Sequence, residues 1–162
     1  MRLEMLNPVL MLLKLQKHRR FFMAYLSLTG VMNLIWEILQ LPLYTLWDDS
    51  MPSTMALAVV HCTLGDVLIG FVVLLAALIL AGANEWPYKR YWKIALVAGV
   101  LGLAYTAFSE WRNTVVTRSW EYSDLMPTLW GIGLSPLEQW CVIPGTIFCY
   151  LRRTMDATSS RF

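Results

Sequence analysis

Charge is scarce in this sequence. Only 15% of its 162 residues are Asp, Glu, Lys or Arg, against about 25% in an ordinary soluble domain, which is too little to cover a surface facing water on every side. The formal net charge is +2 and the basic residues are scattered, so no nucleic acid is expected as a partner. There are 2 histidines and 3 cysteines. Cys62, Cys141 and Cys149 are odd in number and far apart, which gives neither a disulfide framework nor a zinc pattern, and they read as small buried residues. His18 belongs to a basic segment, leaving His61 without a second imidazole, so no metal is expected, nor any cofactor. No internal repeat or low-complexity linker divides the chain, and one domain is expected.

What is abundant is apolar. Hydrophobic residues make up 57% of the chain, and four stretches approach the roughly 20 residues that cross a hydrocarbon core: Phe21 to Leu43, Thr54 to Leu80, Tyr91 to Ser109, and Met126 to Leu151. The expected fold is all-α, an integral membrane bundle of four transmembrane helices. Residues 1–20 read as an amphipathic, basic cytoplasmic segment without the features of a cleaved signal, 21–151 as the transmembrane domain and 152–162 as a cytoplasmic tail. Lys14, Lys17, Arg19 and Arg20, then Lys89 and Arg90, then Arg152 and Arg153 all fall on one side. By the positive-inside rule that side is cytoplasmic, giving an N-in, C-in topology in a multi-pass membrane protein, the inner membrane if the source is bacterial. Asp48, Asp49 and a loop from Glu110 to Leu125 fall on the other.

An ionisable side chain at mid-bilayer costs roughly 2.5–3.5 kcal/mol on insertion scales, so each one calls for pairing or function. Asn33, Glu37, Gln40 and Tyr44 recur at i, i+4, i+7 and i+11, one face of a helix. Glu37 lies about 15 Å from the outer end of its span, and His61 and Asp66 about 10 and 18 Å from theirs, at about 1.5 Å per residue. All three share the outer half. His61 and Asp66 stand roughly 140° apart around their helix, so they point at different partners. Thr106, Glu110 and Asn113 again follow i, i+4, i+7. The bland reading is a hydrogen-bonded knot that fixes helix order; the sharper one is a buried acid or proton relay.

Gly131, Gly133, Pro136 and Pro144 interrupt the fourth segment. Ser135, Pro136 and Glu138 fit an N-cap, first helical position and capping-box acid. The pattern predicts a fourth helix broken near Gly131–Pro136, with Met126 to Leu134 dipping into the bundle and a helix running from Pro136 to Leu151.

Trp111, then Trp120 nine positions on within Trp120-Glu121-Tyr122, then Pro136-Leu137-Glu138 followed by Trp140, resemble the membrane-bound lycopene cyclase domain. Gln139 stands where that family has a second Glu, and Arg112 where it tends to have an acid after the first Trp. The resemblance covers residues 111–140. It implies proton-initiated cyclisation or isomerisation of an isoprenoid-type lipid, without a cofactor. For such chemistry, depth in the bundle and residue type make Glu138, Glu37, His61 and Asp66 the candidate catalytic groups. Trp36, Gln40, Tyr44, Glu110, Trp111, Asn113, Trp120, Tyr122, Gln139 and Trp140 would line the ligand, aromatic faces stabilising a carbocation. Beside this stand two other functions: an accessory or assembly subunit, alone with lipid or joined to a membrane-protein partner or copies of itself, and, ranked last, a proton or solute conductor.

Overall fold

In the computed structural model, residues 19–82 and 86–159 are described; the basic N-terminal segment falls outside them except for Arg19 and Arg20. Helix α1 spans Arg19–Gln40 and tightens into a 3-10 turn at Leu41–Leu43. Pro42 ends the helical ladder there because it has no N–H to donate. A four-residue helix α2, Leu46–Asp49, leads to α3, Pro52–Ala81, with proline in its first turn, where a missing N–H costs nothing. Gly82 closes α3 at a φ of 82°, a left-handed value that favours glycine. Helix α4, Tyr91–Trp111, runs on through a π-helical turn at Arg112–Val116.

The segment before the last helix departs from expectation. Thr128–Leu129 (β1) and Ile132–Gly133 (β2) pair as an antiparallel hairpin, Thr128 opposite Gly133. Its two turn residues, Trp130 and Gly131, both have positive φ, 53° and 80°, the twist that matches a tight hairpin. Met126 and Gly133 are buried while Leu129 and Trp130 are exposed, so the base of the hairpin enters the bundle and its tip does not. Helix α5 then runs unbroken from Leu134 to Ser159. It starts before Pro136, passes through Pro144 and extends beyond Leu151; Arg152 and Arg153 are helical, and an Arg152–Asp156 ion pair at 3.2 Å supports that last stretch. The break therefore precedes the helix.

Four long helices form a ring in which α1 packs on α3 and α5, and α4 packs on α3 and α5. The pairs α1/α4 and α3/α5 stand on the diagonals. Arg19–Leu43, Pro52–Ala81 and Tyr91–Val116 are long and apolar enough to cross a membrane. Helix α5, at 26 residues, has the length but a more polar composition.

The end of the bundle carrying Arg19, Arg20, Arg90 and Arg152, here the basic end, has an apolar and aromatic core. Leu74, Ala77, Ile94, Ile147 and Phe148 are almost wholly buried, and Phe21 meets Trp86 edge-on with centroids 4.7 Å apart. The Tyr91 hydroxyl donates to the Phe148 carbonyl at 2.5 Å, joining α4 to α5. Arg90 Nη1 donates to the Ala81 carbonyl at 2.8 Å, satisfying the end of α3. Nearer the other end, Trp140 packs so tightly on Gly102 that a methyl group there would overlap its ring.

Gly102→Ala is expected to destabilise the bundle by about 1–3 kcal/mol through overpacking. Gly99→Ala, which adds its methyl to open space, should change stability by less than about 0.5 kcal/mol. Thermal unfolding of the two variants in detergent, followed by helical circular dichroism, compares them directly; equal midpoints would contradict the packing described.

Candidate functional site

The i, i+4, i+7 face of α1 is buried as its periodicity requires: Asn33, Glu37 and Gln40 all point into the ring. Their partners come from α5. The Gln139 side-chain amide donates to Asn33 Oδ1 at 2.7 Å, to Glu37 Oε1 at 3.1 Å and to Asp66 Oδ2 at 3.0 Å. One residue of α5 thereby ties α1 and, across the diagonal, α3. Gln40 Nε2 donates to Glu37 Oε1 at 2.8 Å. Ser135 Oγ donates to Gln40 Oε1 at 2.8 Å and accepts from Trp36 Nε1 at 3.2 Å. The hydroxyl expected to cap α5 is thus spent on cross-helix bonds. Glu37 and Asp66, on different helices, thus share the Gln139 amide as a common donor.

From this cluster the bonding continues down α1. Asn33 Nδ2 donates to the Thr29 carbonyl at 2.7 Å and Thr29 Oγ1 to that of Tyr25 at 2.8 Å, so these polar groups satisfy themselves on their own helix. Beside them Tyr25, Thr29, Asn33, Gln139, Trp140 and Pro144 line a cavity of about 10 Å³, the space of a single water molecule. A lipid tail does not fit there.

A second polar group closes the same end of the ring. The Tyr122 hydroxyl donates to Glu110 Oε2 at 2.5 Å and accepts from the Gly133 backbone N–H at 3.0 Å, so one phenol links α4 to the hairpin. Tyr122 also bridges Tyr44 backbone to backbone, their ring centroids 5.6 Å apart, and the neighbouring bonds Thr45 N–H to the Glu121 carbonyl (3.1 Å) and Ser123 N–H to the Leu43 carbonyl (3.0 Å) stitch the two loops together. Burial, and after it the Glu110 carboxylate, push both the Tyr44 and the Tyr122 phenol above the usual tyrosine range.

The residues expected to form one site do not all meet. Glu37, Asp66, Gln139, Gln40 and Trp36 are brought together, with Tyr44, Glu110 and Tyr122 in an adjoining layer. His61 and Glu138 are both exposed: His61 lies about 140° around α3 from Asp66, and Glu138 about 160° around α5 from the buried Trp140. They line no common space with Glu37, which corrects the expectation of a shared acid centre. Trp111 is exposed; Trp120 is half-buried near Glu110. Trp140 belongs to the packed core rather than to a ligand wall. Asn113 is bonded to its own helix through the Ser109 carbonyl at 2.8 Å. The cysteines also differ from expectation, since Cys141 and Cys149 are exposed and Cys62 is half-buried. Among the described residues no three His, Cys, Asp or Glu side chains are placed to hold a metal ion. Ser135 was missed as a cluster member; its i, i+4 spacing from Gln139 is the signal that would have found it.

No protein-family model, curated protein or solved structure matches this chain.

Gln139→Leu removes the donor shared by three buried oxygens and is expected to cost about 1–3 kcal/mol, whereas Glu138→Ala, one residue away, should stay within about 0.5 kcal/mol. Tyr122→Phe, which strips Glu110 of its donor and Gly133 of its acceptor, should match Gln139→Leu in size. Unfolding midpoints of the three purified variants measure this ranking.

Proposed function

We propose that this chain is an integral membrane protein that crosses the bilayer four times with both ends on the cytoplasmic side, and that it serves as a non-catalytic subunit or assembly element. Three apolar helices support the membrane placement. Helix α5, which closes the ring with them, is the fourth span. Its polarity faces both inward, at Ser135 and Gln139, and outward, at Glu138. Clustering of Arg19, Arg20, Lys89, Arg90, Arg152 and Arg153 at one end supports the orientation.

The observation that carries the subunit reading is the closed bonding of the Gln139 cluster. Asn33, Glu37, Gln40, Asp66, Ser135 and Gln139 bond to one another, leaving a cavity of only about 10 Å³ beside them. A site for a lipid substrate needs roughly 300 Å³ or more, with polar groups aimed into it. Polar groups aimed at each other across helices act instead as the glue that fixes helix order in lipid.

One feature supports a second reading, the binding of an isoprenoid-type lipid. Trp47, Tyr105, Phe108, Trp111 and Trp130 are exposed toward the polar end. A polyene chain would lie against this rim from outside rather than enter the bundle. The cyclase chemistry implied by the resemblance would then need a donor other than Glu138, which faces away from the cluster.

Untargeted lipid mass spectrometry on protein purified in mild detergent separates the two. The subunit reading expects the same lipid profile from wild type and from a Glu110→Gln, Tyr122→Phe double variant; a lipid enriched in wild type and lost in the variant would replace it with the second reading. In a cysteine-free background, Ser119→Cys should react with an impermeant maleimide in intact cells and Arg153→Cys only after permeabilisation. The reverse pattern would invert the topology.

A further inference from the structure

His61 and Glu138 are two ionisable side chains that the bundle turns outward among apolar surroundings. His61 interrupts an exposed stripe of Leu57, Leu64 and Leu68 on α3. Glu138 lies about 21 Å along α5 from Arg152, well inside the roughly 30 Å of a hydrocarbon core. On the membrane reading proposed above, on which this inference rests, each faces lipid in the isolated chain, and an ionisable group at that depth requires a partner.

They cannot be each other's partner within one chain. Helices α3 and α5 occupy diagonal corners of the ring, and the two side chains point away from the centre on opposite sides. Their heights nevertheless match. The Gln139–Asp66 bond at 3.0 Å fixes α3 against α5, and both helices run from the polar end to the basic end. Counted from that bond, His61 lies five residues toward the polar end and Glu138 one. The difference is about 6 Å along the bundle axis, within the combined reach of an imidazole and a carboxylate.

We propose that copies of this chain associate side by side and head to tail in the membrane, the α3 face of one against the α5 face of the next, with His61 donating to Glu138 of the adjacent copy. Complementary groups at one height on opposite faces suit a heterologous contact: each copy offers a donor to one neighbour and an acceptor to the other, and the arrangement closes as a ring when the rotation between copies permits. All copies keep the same orientation across the bilayer, as one topology demands. Beside Glu138 the α5 face carries the small exposed residues Cys141, Gly145 and Thr146, which allow close approach, and the exposed Val142 one turn along, which offers apolar contact.

The contact predicts an asymmetric cross-link. In a background with Cys62, Cys141 and Cys149 replaced by serine, one tagged copy carries His61→Cys and a differently tagged copy carries Glu138→Cys. Treatment of membranes with a short bismaleimide should join the two kinds of copy at least tenfold more than either kind to itself. Self-linking of either variant at equal yield would overturn the head-to-tail arrangement, and so would absence of any cross-link in membranes that retain the chain through alkaline carbonate washing. A chain that washes off would overturn the membrane reading itself and this inference with it. As a second measurement, Glu138→Gln in the native sequence should weaken self-association in lipid nanodiscs by about three- to twentyfold, the range of an intramembrane polar contact; a monomeric wild type, or a variant that associates unchanged, contradicts the pairing.

Discussion

The structure depends on one side-chain amide. Gln139 supplies two N–H groups to three oxygens on two other helices, one of them across the diagonal of the ring. Apolar packing brings helices together but is tolerant of sliding and rotation, since leucine meets leucine almost equally well one turn along. In lipid that tolerance is greater, because tails compete for the same contacts. A buried amide shared among three oxygens is not tolerant: moving α5 by one residue would swing Gln139 about 100° away from Asn33, Glu37 and Asp66 and leave them without their donor.

Around this constraint the bundle divides by chemistry. Toward the basic end the core is aliphatic and aromatic, with Tyr25 and Tyr91 satisfying their hydroxyls on backbone carbonyls of neighbouring helices, at Gly70 and Phe148. Toward the polar end the four helices each place a polar group inward: Glu37, Asp66, Glu110 and Gln139. The hairpin covers this end and is held by Tyr122, whose phenol joins Glu110 to Gly133. Its cross-strand register to Tyr44 then ties the α1–α3 connection to the α4–α5 connection, so the loops repeat the closure that Gln139 makes below them.

Much of this could be read from spacing. The i, i+4, i+7 recurrence of Asn33, Glu37 and Gln40 gave the buried face of α1, because a helical period assigns neighbours on one helix without reference to any other; Thr106, Glu110 and Asn113, which the same spacing makes a polar edge at the outer interface, divide instead, with Thr106 and Glu110 buried and Asn113 half-buried. The 140° between His61 and Asp66 correctly required that they face different ways. The same period misled where a residue had two good uses. Ser135 with Pro136 and Glu138 matches a capping box, yet the helix begins a residue earlier and Ser135 bonds to Gln40 and Trp36. Pro144 and the glycines argued for a broken element; Pro144 is accommodated inside α5, and the non-helical backbone is the Thr128–Gly133 hairpin that precedes it.

By itself the sequence determined an all-helical chain with long apolar helices, and a polar layer at one end of the bundle, because hydropathy and helical period are properties of consecutive residues. Tertiary structure alone decided which polar residues meet. Glu138 and Gln139 are adjacent in the chain and chemically alike in size, yet one faces outward and the other holds three helices together. That outcome depends on the rotation of α5 about its own axis, which is set by partners on α1 and α3 far away in the sequence.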